Sequence, residues 1–262
     1  MSKMLIPERH KMILEILNKQ QKITVKELSK EISVSEATLR TDLTKMEQDG
    51  LLVRTHGGAV LTDYIENETS FSVREQKNKN EKYMIAKKAA EIITNGRCIM
   101  LDASSTALEL ARILKNMQVR LTVVTSGINT ATELSENPNI TVILLGGVVK
   151  GGSNRLEGNL GASILNQIHV DIFFTSANGF SFESGLLDFS VYEVELKRAM
   201  VQSSQKVAAL LDHSKIHKNS IASFASINEI DIVISDYPLS KEEDRMLNEK
   251  GIDYMFVPNP QF

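Results

Sequence analysis

The sequence predicts an α/β chain in two parts: a small helical head closed by a hairpin, then a larger α/β body with a mainly parallel sheet. Three observations predict it. The chain has 262 residues, more than one small module needs. Its hydrophobic pattern changes near residue 60, from amphipathic helical stripes to short buried runs alternating with helices. Charge changes there too. Residues 1–60 hold ten Lys/Arg and eight Asp/Glu, a balance of +2, which leaves −5 for the remainder of a chain of net charge −3.

Residues 7–20 read as a first helix, with Ile13, Leu14, Ile16 and Leu17 on one face and Pro7 suited to a first turn. Thr24 and Glu27 have the spacing of a capping box and start a second helix, striped by Val25, Leu28 and Ile32. Ser33-Val34 make a short turn. Ser35 caps a third helix that runs to about Asp49, with Leu39, Leu43 and Met46 inward and Gly50 closing it. Leu51–Val53 and Ala59–Leu61 read as two short strands around Arg54-Thr55-His56-Gly57-Gly58. Three helices and a hairpin make a winged helix-turn-helix domain over residues 1–61.

Residues 62–80 are polar, lack a firm apolar period and read as a linker, within which Phe71 and Val73 can dock on a domain. The body follows over 81–262. Helices are expected at 81–94, 105–115, 128–136, 160–167, 190–203 and 240–249. Strand-like runs occur at Ile99–Leu101, Leu121–Val124, Val142–Leu145, Asp171–Phe174, Val207–Leu211, Ile232–Ile234 and Tyr254–Val257. Buried runs spaced by helices predict a mainly parallel sheet covered on both faces.

Composition narrows the function classes. Hydrophobic residues at 42% and charged residues at 24% are a folded protein's balance. No apolar run approaches the ~20 residues of a membrane helix, and Met1–His10 lacks a signal-peptide core, so a cytoplasmic protein without membrane contact is expected. The lone Cys98 excludes an intrachain disulfide and a multi-cysteine metal site. The small net charge advertises no nucleic acid globally, so any such partner rests on one segment.

The head is that segment. The third helix presents Ser35, Glu36, Ala37, Thr38, Arg40, Thr41 and Lys45 to solvent, and such a helix fits the major groove. Arg40 can place two donors on guanine, and the hydroxyls can serve bases or phosphates. Asp42 is expected to orient Lys45 at i,i+3. The hairpin offers Arg54 and His56, and Gly57-Gly58 let backbone approach a phosphate. The alternative is a three-helix interaction module with a solvated charged face.

Two stretches of the head carry a family resemblance: Arg9-x-x-x-Ile13-x-x-x-Leu17, and Ser35-x-x-Thr38-Leu39-Arg40-Thr41-Asp42-Leu43. With Gly50, Arg54 and His56-Gly57-Gly58-Ala59 they resemble the helix-turn-helix signature of DeoR-type bacterial repressors. Thr41 departs from the pattern, which usually has Arg or Lys there, and that departure bears on affinity or base preference.

In an open parallel sheet, ligands bind beyond the carboxyl ends of the strands. Small polar residues cluster there: Asp102-Ala103-Ser104-Ser105-Thr106, Thr125-Ser126-Gly127 with Asn129, Gly146-Gly147 with Lys150, Ala177-Asn178-Gly179, and Asp212-His213-Ser214-Lys215. Ser104, Ser105 and Thr106 at a helix start suit a phosphate cradle, with Lys215 as counter-charge. Asp102 and Asn178 suit sugar hydroxyls, and Ser126, Gly127, Gly146 and Gly147 complete the candidate effector set. The plainer alternative is that Ser and Thr only cap a helix.

The order of these segments, with Glu81-Lys82, Gly185-Leu186 and Glu193…Lys197-Arg198-Ala199-Met200, resembles the effector domain of the same repressors, similar in fold to ribose-5-phosphate isomerase. Ser104 departs from it, since that loop normally has glycine, and a Cβ there bears on which ester fits. The isomerase pattern Asp-Gly-Ala-Asp-Glu corresponds to Thr175-Ser176-Ala177-Asn178-Gly179, without its acids. Asn is no general base.

The resemblance therefore implies a repressor of a carbohydrate-use operon. Its partners are double-stranded operator DNA and a phosphorylated sugar or polyol, and it pairs heads as a homo-oligomer, dimer or tetramer. It needs no cofactor and no metal. The alternative is an active sugar-phosphate isomerase with an accessory DNA-binding head. His213 and His217 have helical metal-pair spacing but no HExxH arrangement. Gly146-x-x-x-x-Gly151 is followed by Gly152 where a phosphate loop needs Lys.

Overall fold

The computed structural model describes residues 6–20, 22–48, 51–55, 57–60, 71–149 and 155–258. The expected roles of Gly50, His56 and Lys150, the strand end at Leu61, and residues 62–70 of the expected linker lie outside these residues. The chain divides into two compact units, residues 1–74 and 75–262.

The first unit holds α1 (Ile6–Gln20), β1 (Lys22–Thr24), α2 (Val25–Ile32), α3 (Glu36–Gln48), β2 (Val53–Thr55) and β3 (Gly58–Val60). Both halves of the expected capping box form. The Glu27 amide donates to Thr24 Oγ1 at 3.2 Å, and the Thr24 amide donates to Glu27 Oε2 at 2.9 Å. Ser33 ends α2 in the left-handed conformation at φ 56°, and Ser35 accepts the Thr38 amide at the start of α3. Ile13, Leu17, Leu28, Leu39, Leu43 and Met46 are fully buried and form the core. The first hairpin strand sits at 53–55 rather than 51–53, the second begins at 58, one residue before the expected start, and β1 makes a third, antiparallel strand on β3. A Cβ on Gly58 would lie 2.0 Å from the Ile23 carbonyl oxygen, so this pairing requires glycine.

Two helices begin in the second half of the expected linker: α4 (Phe71–Gln76) and α5 (Lys79–Ala90). The second of these is the helix expected at 81–94, found two residues earlier at its start, and its apolar positions Ile85, Ala86 and Ala89 are fully buried. Beyond it run β4 (Cys98–Leu101), α6 (Ser105–Leu114), β5 (Leu121–Thr125), α7 (Ile128–Leu134), β6 (Ile140–Leu144), the hairpin strands β7 (Val148–Val149) and β8 (Leu156–Glu157), and a 3-10 segment over Asn159–Gln167, where an ordinary helix was expected. Then come β9 (Ile172–Thr175), β10 (Gly179–Ser181), β11 (Gly185–Asp188), α8 (Val191–Gln202), β12 (Val207–Leu211), β13 (Ala222–Ala225), β14 (Ile232–Ser235), α9 (Lys241–Glu249) and β15 (Asp253–Phe256).

Seven strands form one parallel sheet in the order β15-β14-β12-β9-β4-β5-β6. Alternation along β4 and β12 sends Ile99, Leu101, Ala208 and Leu210 into a core shared with α5 and α6. Met100, Ala209 and Leu211 enter a second core with α8. A small antiparallel sheet, β10-β11-β13, adds Phe180, Leu186 and Phe224 to that second core. The chain runs outward through β4, β5 and β6 and then returns to β9, beside β4. The carboxyl ends of β4 and β9 are therefore the topological switch point, where open α/β sheets leave a crevice.

Candidate functional site

In the first unit, α3 buries Leu39, Leu43 and Met46 and leaves Ala37, Arg40, Thr41 and Lys45 exposed. Ser35 is exposed as well, and Glu36 and Thr38 are half-buried. Arg40 donates to Glu36 Oε2 at 2.8 Å, an exposed i,i+4 pair that holds the guanidinium along the helix surface. The hairpin is tied to this helix. Arg54 Nη1 donates to Thr44 Oγ1 at 2.8 Å, and its amide donates to Glu47 Oε1 at 2.8 Å. Gly57 is exposed at the turn.

Asp42 does not orient Lys45. It lies on the buried side of α3, where Arg9 of α1 donates to it through Nε and Nη2 at 2.5 and 2.9 Å. The i,i+3 rule places neighbours on one helix but is blind to a partner 33 residues away.

In the second unit the expected loops gather along one sheet edge. Asp102, immediately after β4, is fully buried. Its Oδ1 accepts the Ser104 amide at 3.0 Å, and its Oδ2 accepts Thr175 Oγ1 at 2.7 Å and the Ser176 amide at 3.0 Å. This carboxylate stitches the β4 and β9 loops together across the switch point. Ser104 caps α6 by accepting the Ala107 amide at 3.1 Å. Ser105, Thr106 and Ser126 are buried, and Thr106 Oγ1 lies 3.5 Å from Ser176 Oγ. A Cβ on Gly127 would sit 3.2 Å from the Ala103 Cα, so glycine lets the β4 and β5 loops close on each other. Asn178, Gly147 and Lys215 are half-buried and Gly146 is exposed. All ten expected effector residues thus stand on the carboxyl-end loops of β4, β5, β6, β9 and β12.

Behind this edge lies a buried ionic cluster. Lys197 of α8 reaches Asp188 Oδ2 at 2.8 Å, Asp102 Oδ2 at 3.1 Å and Glu193 Oε1 at 3.5 Å, and donates to the Ser176 carbonyl at 2.9 Å. Its ammonium also sits 4.8 Å from the Phe224 ring centroid. Arg155 joins through Glu157 at 2.9 Å and Glu193 at 3.4 Å. Burial alone would lower the Lys197 pKa, but Asp102, Asp188 and Glu193 raise it above that of a free lysine. Burial would likewise raise the Asp102 carboxyl, yet Lys197 and the hydrogen bonds from Ser104 and Thr175 hold it below the usual carboxylate range.

His213 and His217 engage separate carboxylates, Asp236 at 2.7 Å and Glu243 at 2.7 Å. Among the described residues no group of three or more His, Cys, Asp or Glu side chains is arranged to hold a metal ion.

Two domain families match the chain. Residues 9–65 match the DeoR-like helix-turn-helix domain, and residues 77–237 match the DeoR C terminal sensor domain. The chain belongs to the DeoR family. The HTH-type transcriptional regulator GolR of Listeria innocua is 46% identical over 94% of this chain and 96% of its own length. The glycerol-3-phosphate regulon repressor of Escherichia coli is 32% identical over 88% and 91%, and the HTH-type transcriptional repressor GlcR of Bacillus subtilis 34% over 95% of both. Among solved structures, ribose 5-phosphate isomerase A from Methanocaldococcus jannaschii covers 53% of this chain and 55% of its own, at 18% identity and a TM-score of 0.40, too loose a superposition to carry function.

This DeoR-family chain is therefore a DNA-binding transcriptional regulator with a helix-turn-helix head and a sensor domain. No helix among its described residues is long and apolar enough to cross a membrane. Its ionic cluster is the part that sequence reasoning missed. Lys197 was placed in a family pattern but not in the site. A readable signal exists: Glu193, Leu196, Lys197, Met200 and Val201 follow i, i+3, i+4, i+7, i+8, so the two charges fall on the apolar stripe of α8, and all five are buried. Asp188 and Arg155 carried no such signal, because each reaches the cluster only through the tertiary fold.

Proposed function

We propose that this regulator represses a carbohydrate-use operon and that a phosphorylated sugar or polyol, seated on the carboxyl-end loops, modulates its hold on operator DNA. In this reading residues 1–61 read DNA, 62–80 connect, and 81–262 sense. Ser35, Glu36, Ala37, Thr38, Arg40, Thr41, Lys45, Arg54, His56 and Gly57 form the DNA face. The observation that carries the sensor half is the pairing of three acids behind the switch point with one lysine. Asp102, Asp188 and Glu193 are buried and bound to Lys197, so none is available to move a proton beside a substrate carbonyl. In this reading the carboxyl-end loops bind a ligand without turning it over.

Charge supports one orientation of the ligand on these loops. Four carboxyls, those of Asp102, Glu157, Asp188 and Glu193, face two cations, Arg155 and Lys197. That side suits hydroxyl donors. The phosphate therefore goes to the α6 start at Ser104–Thr106 and to Lys215. The name of the glycerol-3-phosphate regulon repressor supports an ester of this class. One head buries little surface on DNA, so a homo-oligomer pairs heads on a repeated operator, and a cytoplasmic location follows from a DNA partner.

A thermal-shift screen against sugar and polyol phosphates tests this reading, since a ligand selective for the folded state raises its melting temperature. The rival enzymatic reading is tested on the same hits. Turnover of any pentose or hexose phosphate would replace the sensor with an isomerase.

A further inference from the structure

The segment that leaves the DNA-reading unit is wired to the last of the ligand loops. The division between the two units falls inside α4, and the turn after α4 carries Asn78. Asn78 Nδ2 donates to Asp212 Oδ1 at 2.8 Å and to Ser214 Oγ at 3.2 Å. Asp212 and Ser214 belong to the loop after β12 that holds Lys215. The contact spans 134 residues of sequence.

Asn78 is shaped for this contact rather than for its helix. It is the N-cap residue of α5, yet its side chain makes no cap hydrogen bond, and its backbone is left-handed at φ 51°. That conformation costs energy in a non-glycine residue, although Asn tolerates it better than most. Asn78 Nδ2 donates to Asp212, while its Oδ1, the acceptor an N-cap would use, makes no cap hydrogen bond to α5.

Asp212 is the hub. It is almost wholly buried, and its Oδ1 also accepts the Ser214 amide at 3.1 Å and the Ser214 hydroxyl. Its Oδ2 has no hydrogen-bond partner among the described residues, so the carboxylate retains capacity for a ligand hydroxyl or water. Lys215 and, from the first turn of α5, Lys82 both act electrostatically on this carboxylate. Lys82 Nζ in turn donates to the Lys77 carbonyl at 2.6 Å, one residue before Asn78. A second tie lies nearby in sequence: Glu75 accepts from Arg112 of α6 at 2.5 Å, and α6 begins at the Ser104–Thr106 cradle. Both proposed phosphate contacts therefore lie on elements that grip residues 75–82.

We infer that Asn78 is the positioning residue that couples occupancy of the β12 loop to the chain segment leading to the DNA-reading unit. The inference rests on the sensor reading above. A ligand drawn to Lys215 biases the loop between two arrangements, one with the Asn78 contact made and one with it released, and differential affinity for the two is what coupling requires.

The test uses the full chain. Asn78→Gly keeps the left-handed backbone accessible and deletes the amide. The paired exchange Asn78→Asp with Asp212→Asn restores a donor–acceptor pair of reversed polarity. Calorimetry measures binding of the phosphate ester that most raises the melting temperature, and anisotropy measures operator affinity with and without it. The expected result is that Asn78→Gly binds ester and operator as wild type does, while the ester-induced change in operator affinity shrinks about fivefold or more, and the paired exchange regains part of it. A full response in Asn78→Gly overturns the inference. So does a loss of operator binding without ester, which would mark Asn78 as merely structural.

If no ester binds the wild-type chain, the sensor reading fails separately, and hydrogen exchange without ligand judges the coupling. Amides of 71–82 and 212–216 should open together in Asn78→Gly. Opening of one stretch alone would overturn the coupling.

Discussion

Arg9 and Asp42 bind α1 to α3 through two hydrogen bonds of 2.5 and 2.9 Å, and both side chains are about nine-tenths buried. Helix α3, proposed to face DNA, is thus held from behind by an ion pair. Burial would raise the Asp42 carboxyl, but Arg9, helped by His10, holds it below the usual carboxylate range. Removing one partner strands a buried charge, at about 3 kcal/mol. Arg9→Ala should therefore lower the melting temperature of the head. Because the folded-state pKa is depressed, the pair's contribution is complete above the unfolded value of about 4 and fades as pH falls through the folded value. Circular-dichroism melts of wild type and Arg9→Ala at pH 7 and pH 3 should show the gap narrowing in acid. A constant gap would remove the ion pair as its cause.

Arg40 is exposed, and its guanidinium donates to Glu36 on the helix surface. Arg40→Ala should leave the melt unchanged and weaken specific operator binding by about 1–3 kcal/mol. Glu36→Gln removes an acid near the phosphates and should tighten binding while making it less selective. Gel-shift titrations with matched and scrambled operators check both, and equal affinity in Arg40→Ala would reject the assignment.

Lys197 neutralises a fully buried Asp102. Lys197→Met leaves Asp102, Asp188 and Glu193 without their shared cation, a loss of about 3–5 kcal/mol. The raised lysine pKa keeps its contribution intact below about 10.4, the free value, and lost only on rising through the folded one. Chemical denaturation of Lys197→Met should show a weakened sensor unit at every pH from 6 to 9. Wild-type stability in that range would show the cluster to be dispensable.

Much of this is legible before any coordinates exist. Thr24 with Glu27, and Ser35 before Leu39, announce helix starts through local chemistry that the structure reproduces. The parallel sheet is legible because its strands are continuous apolar runs. What escapes sequence reading is pairing at a distance. Lys22–Thr24 is three residues long with one buried side chain, and becomes a strand only because β3 lies beside it. The antiparallel sheet of β10, β11 and β13 has strands of three or four residues, and joins residues 34 to 39 apart across the β11–β13 pair. Asp42 reads as a neighbour of Lys45 until Arg9 is placed against it.

Thr106 and Lys215 stand on opposite sides of β9, on the β4 and β12 loops. Thr106→Ala or Lys215→Ala should blunt the response to a phosphate ester by about tenfold, one lost charge-assisted or neutral hydrogen bond, while leaving operator binding without ester intact. Normal ligand affinity by calorimetry in both variants would take these residues out of the site.

The most direct measurement is an operator titration of the full chain by fluorescence anisotropy, with and without a saturating sugar or polyol phosphate. The expected result is specific binding that falls steeply with salt and an isotherm displaced by the ester, with the ester recovered unchanged. An isotherm that no such ester moves, or an ester consumed during the titration, would contradict a DNA-reading head governed by a catalytically silent sensor.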